Sequence, residues 1–181
     1  MGTLLVLIYV AFISLGLPDS IMGAAWPSLY AEIGVPIEYA GIFSMIASGG
    51  TIAASLLSAR VAGRFGTGKV LVVSVFLTAG ALIGICFAPS FFFLCLLAVP
   101  LGLGGGAVDA ALNNYVALHY AARHMNWLHS CWGIGATAGP LLLSAFIGGE
   151  GGWRAGYLTV GGLQMLLFAC LLFSLPLWRR H

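Results

Sequence analysis

Residues 90–118 read SFFFLCLLAVPLGLGGGAVDAALNNYVAL, with a single formal charge at Asp109. A bilayer core about 30 Å thick is crossed by about 20 apolar residues of helix, and this run supplies them with turns to spare. A carboxylate within it costs at least about 2.5–3.5 kcal/mol on insertion scales, so its presence at that depth implies a pathway for a polar solute or a proton. The same texture continues outward from this segment. Further spans read at 3–26, 37–59, 69–88, 127–148 and 153–178, six in a chain of 181 residues. Of all residues 61% are hydrophobic and 7% charged, against roughly 25% charged in a soluble domain. The expectation is an all-α integral membrane protein, one six-helix transmembrane bundle over 1–181, with the lipid bilayer as its first partner and no role for nucleic acid.

The few charges are placed unevenly. Arg60, Arg64 and Lys69 flank the second connection, Arg123 lies in the fourth, and Arg179 and Arg180 follow the last span. The first and third connections lack Lys and Arg, and the fifth holds only Arg154. Basic residues stay on the cytoplasmic side, which predicts cytoplasmic termini, outward-facing Glu32, Glu38 and Glu150, and a multi-pass protein of the plasma (inner) membrane. The first span has no Lys or Arg ahead of it and outruns a signal-peptide core, so it reads as a retained helix. Val6 breaks the myristoylation pattern. Cys86, Cys95, Cys131 and Cys170 all fall within spans without metal-ligand spacing, as small buried hydrophobes do.

An internal repeat is visible. Setting Asp19 on Asp109 places Gly16 over Gly106 and Tyr30 over Tyr120, and Leu56-Leu57-Ser58-Ala59 echoes Leu142-Leu143-Ser144-Ala145 at a slightly different offset. Three spans repeated as three reverse their orientation, the inverted-repeat logic of many secondary transporters. The 26 glycines suit close helix packing in lipid, with Gly102–Gly106 and Gly135–Gly139 as small-residue pairs at the spacing that lets backbones approach.

Polar residues gather on particular helical faces. Gly16, Asp19, Gly23, Trp26 and Tyr30 share one face of the first span. Pro18 frees backbone carbonyls beside the aspartate, which is tolerated at membrane depth only when they are buried or face a watery cavity. On the fourth span Gly102, Gly106, Asp109, Asn113 and Tyr120 align, and the fifth opens with Asn126, His129 and Gly133 in helical register. A short link between these two spans is expected to bring His129 near Asp109 or Asn113, a combination suited to proton exchange near neutral pH. Trp26, Trp127, Trp153 and Trp178 lie near span ends, where aromatic rings anchor at the interface. Trp132, one turn inside the fifth span, and Trp26 are candidate platforms for the C–H face of a sugar. Ser44, Ser48, Thr51, Ser55 and Ser58 form a polar stripe suited to packing within the bundle or against a second copy. No nucleophile–base pair or metal cluster suggests an enzyme, and no cofactor is expected beyond a proton as coupling ion.

Together these features resemble the N-terminal six-helix half of a major facilitator superfamily transporter, with the fucose permease-type sugar:proton symporters as the nearest flavour. Gly102-Leu-Gly-Gly-Gly-Ala-Val-Asp-Ala-Ala-Leu-Asn113 is similar to that group's fourth helix, and Asn126-Trp-Leu-His129 through Gly133-Ile-Gly135 to Gly139-Pro140 to its fifth. Arg64 and Gly66 match the family's loop between helices two and three, which implies a gating role, while Ala59 and Gly63 depart from it. Gly135-x-x-x-Gly139-Pro140 also begins the pattern of drug/proton antiporters, but Leu143-Ser144 stands where Gly-Gly would complete it.

The resemblance implies alternating access between two halves, so six spans call for a parallel homodimer or a complementary second half. It implies a proton-coupled carrier of a small polar solute, a hexose by preference, with Asp109, Asn113, His129, Asp19, Trp132 and Trp26 as substrate or proton ligands. The alternatives are half of an efflux antiporter and a non-transporting assembly subunit or fragment.

Overall fold

The computed structural model describes residues 2–179 and consists of six long helices: α1 (Gly2–Ile33), α2 (Tyr39–Phe65), α3 (Thr67–Cys86), α4 (Phe91–His119), α5 (Ala122–Ile147) and α6 (Gly152–Trp178). All are long and apolar enough to cross a membrane. Arg180, counted above among the basic residues, lies outside the described residues. α1, α2 and α5 each overrun the expected span at one end, because helix continues past the membrane core where the ends still pack, whereas α3, α4 and α6 keep close to theirs. Thus α1 passes Pro27, where the sequence suggests a connection, and carries Leu29 into the core before Gly34 ends it at φ 78°. The second connection shrinks to Gly66, whose φ of 89° reverses the chain in the left-handed region that glycine enters freely.

Apart from α3 and α4, helices adjacent in sequence are not the main partners in space. α1 packs on α5, α2 on α4, and α3 on both α6 and α4. Only slight contact joins α4 to α5 despite their short link, because each is seated on a glycine surface elsewhere. A Cβ on Gly135 would strike the Ile13 carbonyl of α1, and one on Gly16 the Trp132 carbonyl of α5. On the other side Gly102 abuts the Ala47 carbonyl and Gly106 the Thr51 backbone of α2. Gly16 and Gly106 are equivalent in the internal repeat, so α1-on-α5 and α4-on-α2 are the same crossing made twice. Small residues are what permit such backbone approach in lipid, where no hydrophobic force separates helix from tail.

Pro18 shows how α1 tolerates its interruption. Without an N–H, residue 18 leaves the Ser14 carbonyl free, and the buried Gln164 amide of α6 donates to that oxygen.

One end of the bundle is tied by a cluster around Arg154. Its Nη1 donates to the Cys86 and Ala88 carbonyls at 2.7 and 3.2 Å, its Nε donates to Glu32 at 3.1 Å, and its guanidinium lies 4.4 Å from the Trp153 ring centre. Trp153 is itself buried and donates to the other Glu32 oxygen at 2.6 Å. Trp26 is buried with its indole N–H on the Ile37 carbonyl at 2.8 Å, and Trp178 is packed beside Tyr115 at the opposite end. These three rings thus pack inside the bundle ends, and of the tryptophans near span ends only Trp127 is exposed.

Arg154→Ala is expected to cost about 1.5–3 kcal/mol in detergent unfolding, because it strands two helix-end carbonyls as well as Glu32. Glu32→Gln, which removes only a half-exposed ion pair, should cost under about 1 kcal/mol. Equal losses would show that the ion pair, not the carbonyl bridge, holds this end.

Candidate functional site

Because α1 seats on α5 and α4 on α2, these four helices surround a cavity of about 610 Å³. α3 reaches it only through Thr78, and α6 does not line it. α1 contributes Pro18, Asp19 and Met22; α2 contributes Phe43, Ser44, Ser48 and Thr51; α4 contributes Gly102, Gly105 and Asp109; α5 contributes His129 and Trp132. The ionisable lining is two carboxylates and one imidazole, with no Lys or Arg among them.

The two aspartates are held differently. Trp132 Nε1 donates to Asp19 Oδ2 at 2.8 Å, bridging α5 to α1 directly above their glycine crossing. Asn113 Nδ2 donates to Asp109 Oδ1 at 3.0 Å and to the Asp109 main-chain carbonyl at 2.9 Å, so its amide orients the carboxylate from one turn away. Asp109 lines the cavity, and its second oxygen has no protein donor among the described residues. His129 approaches from α5 with its ring edge-on to Phe12 at 6.2 Å. It shares the cavity with Asp109, but the only ion pair among the described residues is Arg154–Glu32.

Four of the sequence-derived candidates, Asp19, Asp109, His129 and Trp132, therefore meet in one space, and Asn113 supports them from behind. Trp26 does not reach it: its ring is committed to the end of the bundle. Arg64 and Gly66 lie at the α2–α3 turn, away from the cavity. Of the serine stripe, Ser44 and Ser48 face the cavity, Thr51 Oγ1 donates to the Gly102 carbonyl at 3.2 Å, and Ser58 is buried. Sequence reasoning missed Phe43 and Met22 as cavity walls, and Gln164 as the partner of α1's broken hydrogen bond. Gln164 did carry a signal, as the lone amide of its span. Among the described residues no group of three His, Cys, Asp or Glu side chains gathers to hold a metal.

The sequence profile of the Major Facilitator Superfamily matches residues 8–180. The chain belongs to that superfamily. Its curated relatives include a 4-hydroxybenzoate transporter, PcaK, of Acinetobacter baylyi, 26% identical over 89% of this chain and 36% of that protein. Bypass of stop codon protein 6 of Saccharomyces cerevisiae is 28% identical over 76% of the chain and 28% of its own length. The synaptic vesicle 2-related protein of Rattus norvegicus is 28% identical over 83% of the chain and 28% of its length. The chain therefore spans about a third of the length of the relatives it matches. The superfamily is one of carriers rather than enzymes, and the six helices in this arrangement are half of a major facilitator fold. None of these relatives supports the narrower likeness to fucose permeases.

Proposed function

We propose that this chain is one six-helix half of a proton-coupled secondary transporter for a small neutral polar solute of the hexose class. It works by alternating access and is completed by a second copy of itself or a complementary half. The observation that carries this reading is the convergence of Asp19, Asp109, His129 and Trp132 on one cavity between four helices. Its volume falls in the range of about 300–1,000 Å³ typical of small-molecule sites. Carboxylates and serine hydroxyls accept and donate to sugar hydroxyls, Trp132 offers a flat face, and Asp109 and His129 are groups able to exchange a proton.

The electrostatics bear on substrate class. One relative is named for transport of 4-hydroxybenzoate, an aromatic anion. Two carboxylates without a facing Lys or Arg repel such an anion, so a neutral polyol fits this cavity better. An organic cation is the second reading, favoured by the same carboxylates beside Phe43 and Trp132, and it corresponds to an efflux antiporter. The distribution of basic residues supports cytoplasmic termini, and residence in the plasma membrane is part of the same proposal. Exposed Met45, Ile52 and Leu56 on α2 and Ile134 and Leu141 on α5 offer apolar faces beside the cavity for a second half.

The test is solute-driven proton movement in proteoliposomes of the assembled protein, whose stoichiometry is set first by native mass spectrometry. An inward hexose gradient should alkalinise the outer medium. Proton movement driven by a lipophilic cation and not by any hexose would replace the first reading with the second; silence with both would reduce the chain to a structural subunit.

A further inference from the structure

A second cleft lies outside the four-helix cavity and is independent of the transport reading. α2 and α3 are joined by Gly66 alone, yet α2 leans on α4 rather than on α3. The two helices diverge from their turn and leave a cleft of about 510 Å³ closed at its floor by α4. Its walls are apolar, with Leu57 and Phe65 on α2, Val73 and Leu77 on α3 and Leu103 on α4. From Lys69 to Leu77 it follows α3 for about 12 Å at the helical rise, enough for a large part of an extended acyl chain.

The mouth of this cleft is cationic. Lys69, on the first turn of α3, is part of its lining and is exposed. The Arg64 guanidinium lies 5.6 Å from the ring centre of Phe65, which also lines the cleft. Neither cation is in an ion pair, since Arg154–Glu32 is the one ion pair among the described residues. The comparable cleft between α1 and α6, about 560 Å³, has similar apolar walls, among them Val10 and Leu166, but among the described residues no charged side chain lines it. The described linings of the two lateral clefts thus differ in charge.

We propose that the α2–α3–α4 cleft binds an anionic glycerophospholipid, one acyl chain lying along Val73, Leu77 and Leu103 and the phosphate resting on Lys69 and Arg64. Basic pockets between transmembrane helices near the membrane surface recognise anionic head groups in this way, each cation contributing about 1 kcal/mol. The lipid would act as a wedge that fills the gap between α2 and α3 and holds their single-residue turn at the surface.

The chain, purified in a neutral detergent and stripped of lipid, is titrated with phosphatidylglycerol or phosphatidylcholine of matched acyl chains and read by native mass spectrometry. The first phosphatidylglycerol should bind about thirtyfold tighter than phosphatidylcholine, the two cations together supplying about 2 kcal/mol. Lys69→Gln with Arg64→Gln should abolish the preference, while Arg123→Gln, at the same end but away from the cleft, should retain it. Val73→Trp, at an exposed position in the cleft wall, should lower occupancy of the first lipid without unfolding the bundle. Equal affinity for the two lipids would overturn the proposal. So would a preference lost as fully in Arg123→Gln, which would assign it to the charge of that end as a whole, or first-lipid occupancy unchanged in Val73→Trp, which would place the lipid elsewhere.

Discussion

Asp109→Asn is expected to abolish proton-driven accumulation of solute in proteoliposomes of the assembled protein while leaving exchange of solute across the membrane intact. The substitution is nearly isosteric and keeps an oxygen for the Asn113 amide, so the hydrogen bond at 3.0 Å and the fold around it survive. What disappears is the group that can gain and lose a proton while facing the cavity. Without it, binding and reorientation continue but no longer carry a proton, so uptake proceeds only to equilibration.

Asp19→Asn is the informative comparison, because Asp19 holds the Trp132 indole at 2.8 Å. Changing it should weaken solute binding by loosening that bridge, and leave uphill uptake measurable at saturating solute. Unchanged uphill uptake in Asp109→Asn would remove Asp109 from the coupling role; loss of accumulation in Asp19→Asn alone would transfer that role to α1.

The second large effect is steric. Gly135→Ala should cost about 3 kcal/mol or more, a large fraction of the stability of a typical domain. The added Cβ would meet the Ile13 carbonyl and the Gly16 backbone, and neither belongs to a side chain that could turn aside. The whole of α1 would have to move, and with it Asp19 and its bond to Trp132. Gly133→Ala, two residues earlier on the same helix, meets nothing within 4 Å and should be neutral or stabilising by up to about 1 kcal/mol from helix propensity. Thermal or denaturant unfolding of the two variants in detergent decides the matter. Equal tolerance would mean that α1 and α5 are not seated backbone to backbone.

These two results probe different levels of legibility. Asp109 announces itself in the sequence, since a carboxylate in a run such as 90–118 demands a reason. Gly135 announces itself only as half of the Gly135–Gly139 pair, and that the backbone it meets is Ile13 of α1 is told by the crossing alone. Trp132 is a mixed case. Its position one turn inside the fifth span marks it as unusual, but its bond to Asp19 depends on α5 lying against α1, which no local pattern reveals. Trp26 fails for the same reason in reverse: it shares a helical face with Asp19, yet seven residues along α1 carry it out of the cavity and into the bundle end.

The sequence by itself determined that there are six helices long and apolar enough to cross a membrane, that they repeat as three and three, and that two of them carry a carboxylate at membrane depth. Those are consequences of transfer energy, which depends on residue type and run length alone. Which helix lies beside which, and therefore that Asp19, Asp109, His129 and Trp132 line one cavity, was decided only by the tertiary structure. In water a helix declares its buried face by an apolar stripe, but in lipid both faces are apolar and the stripe vanishes. Partner choice passes to where backbones can touch, and that is a property of two matching surfaces rather than of either helix alone.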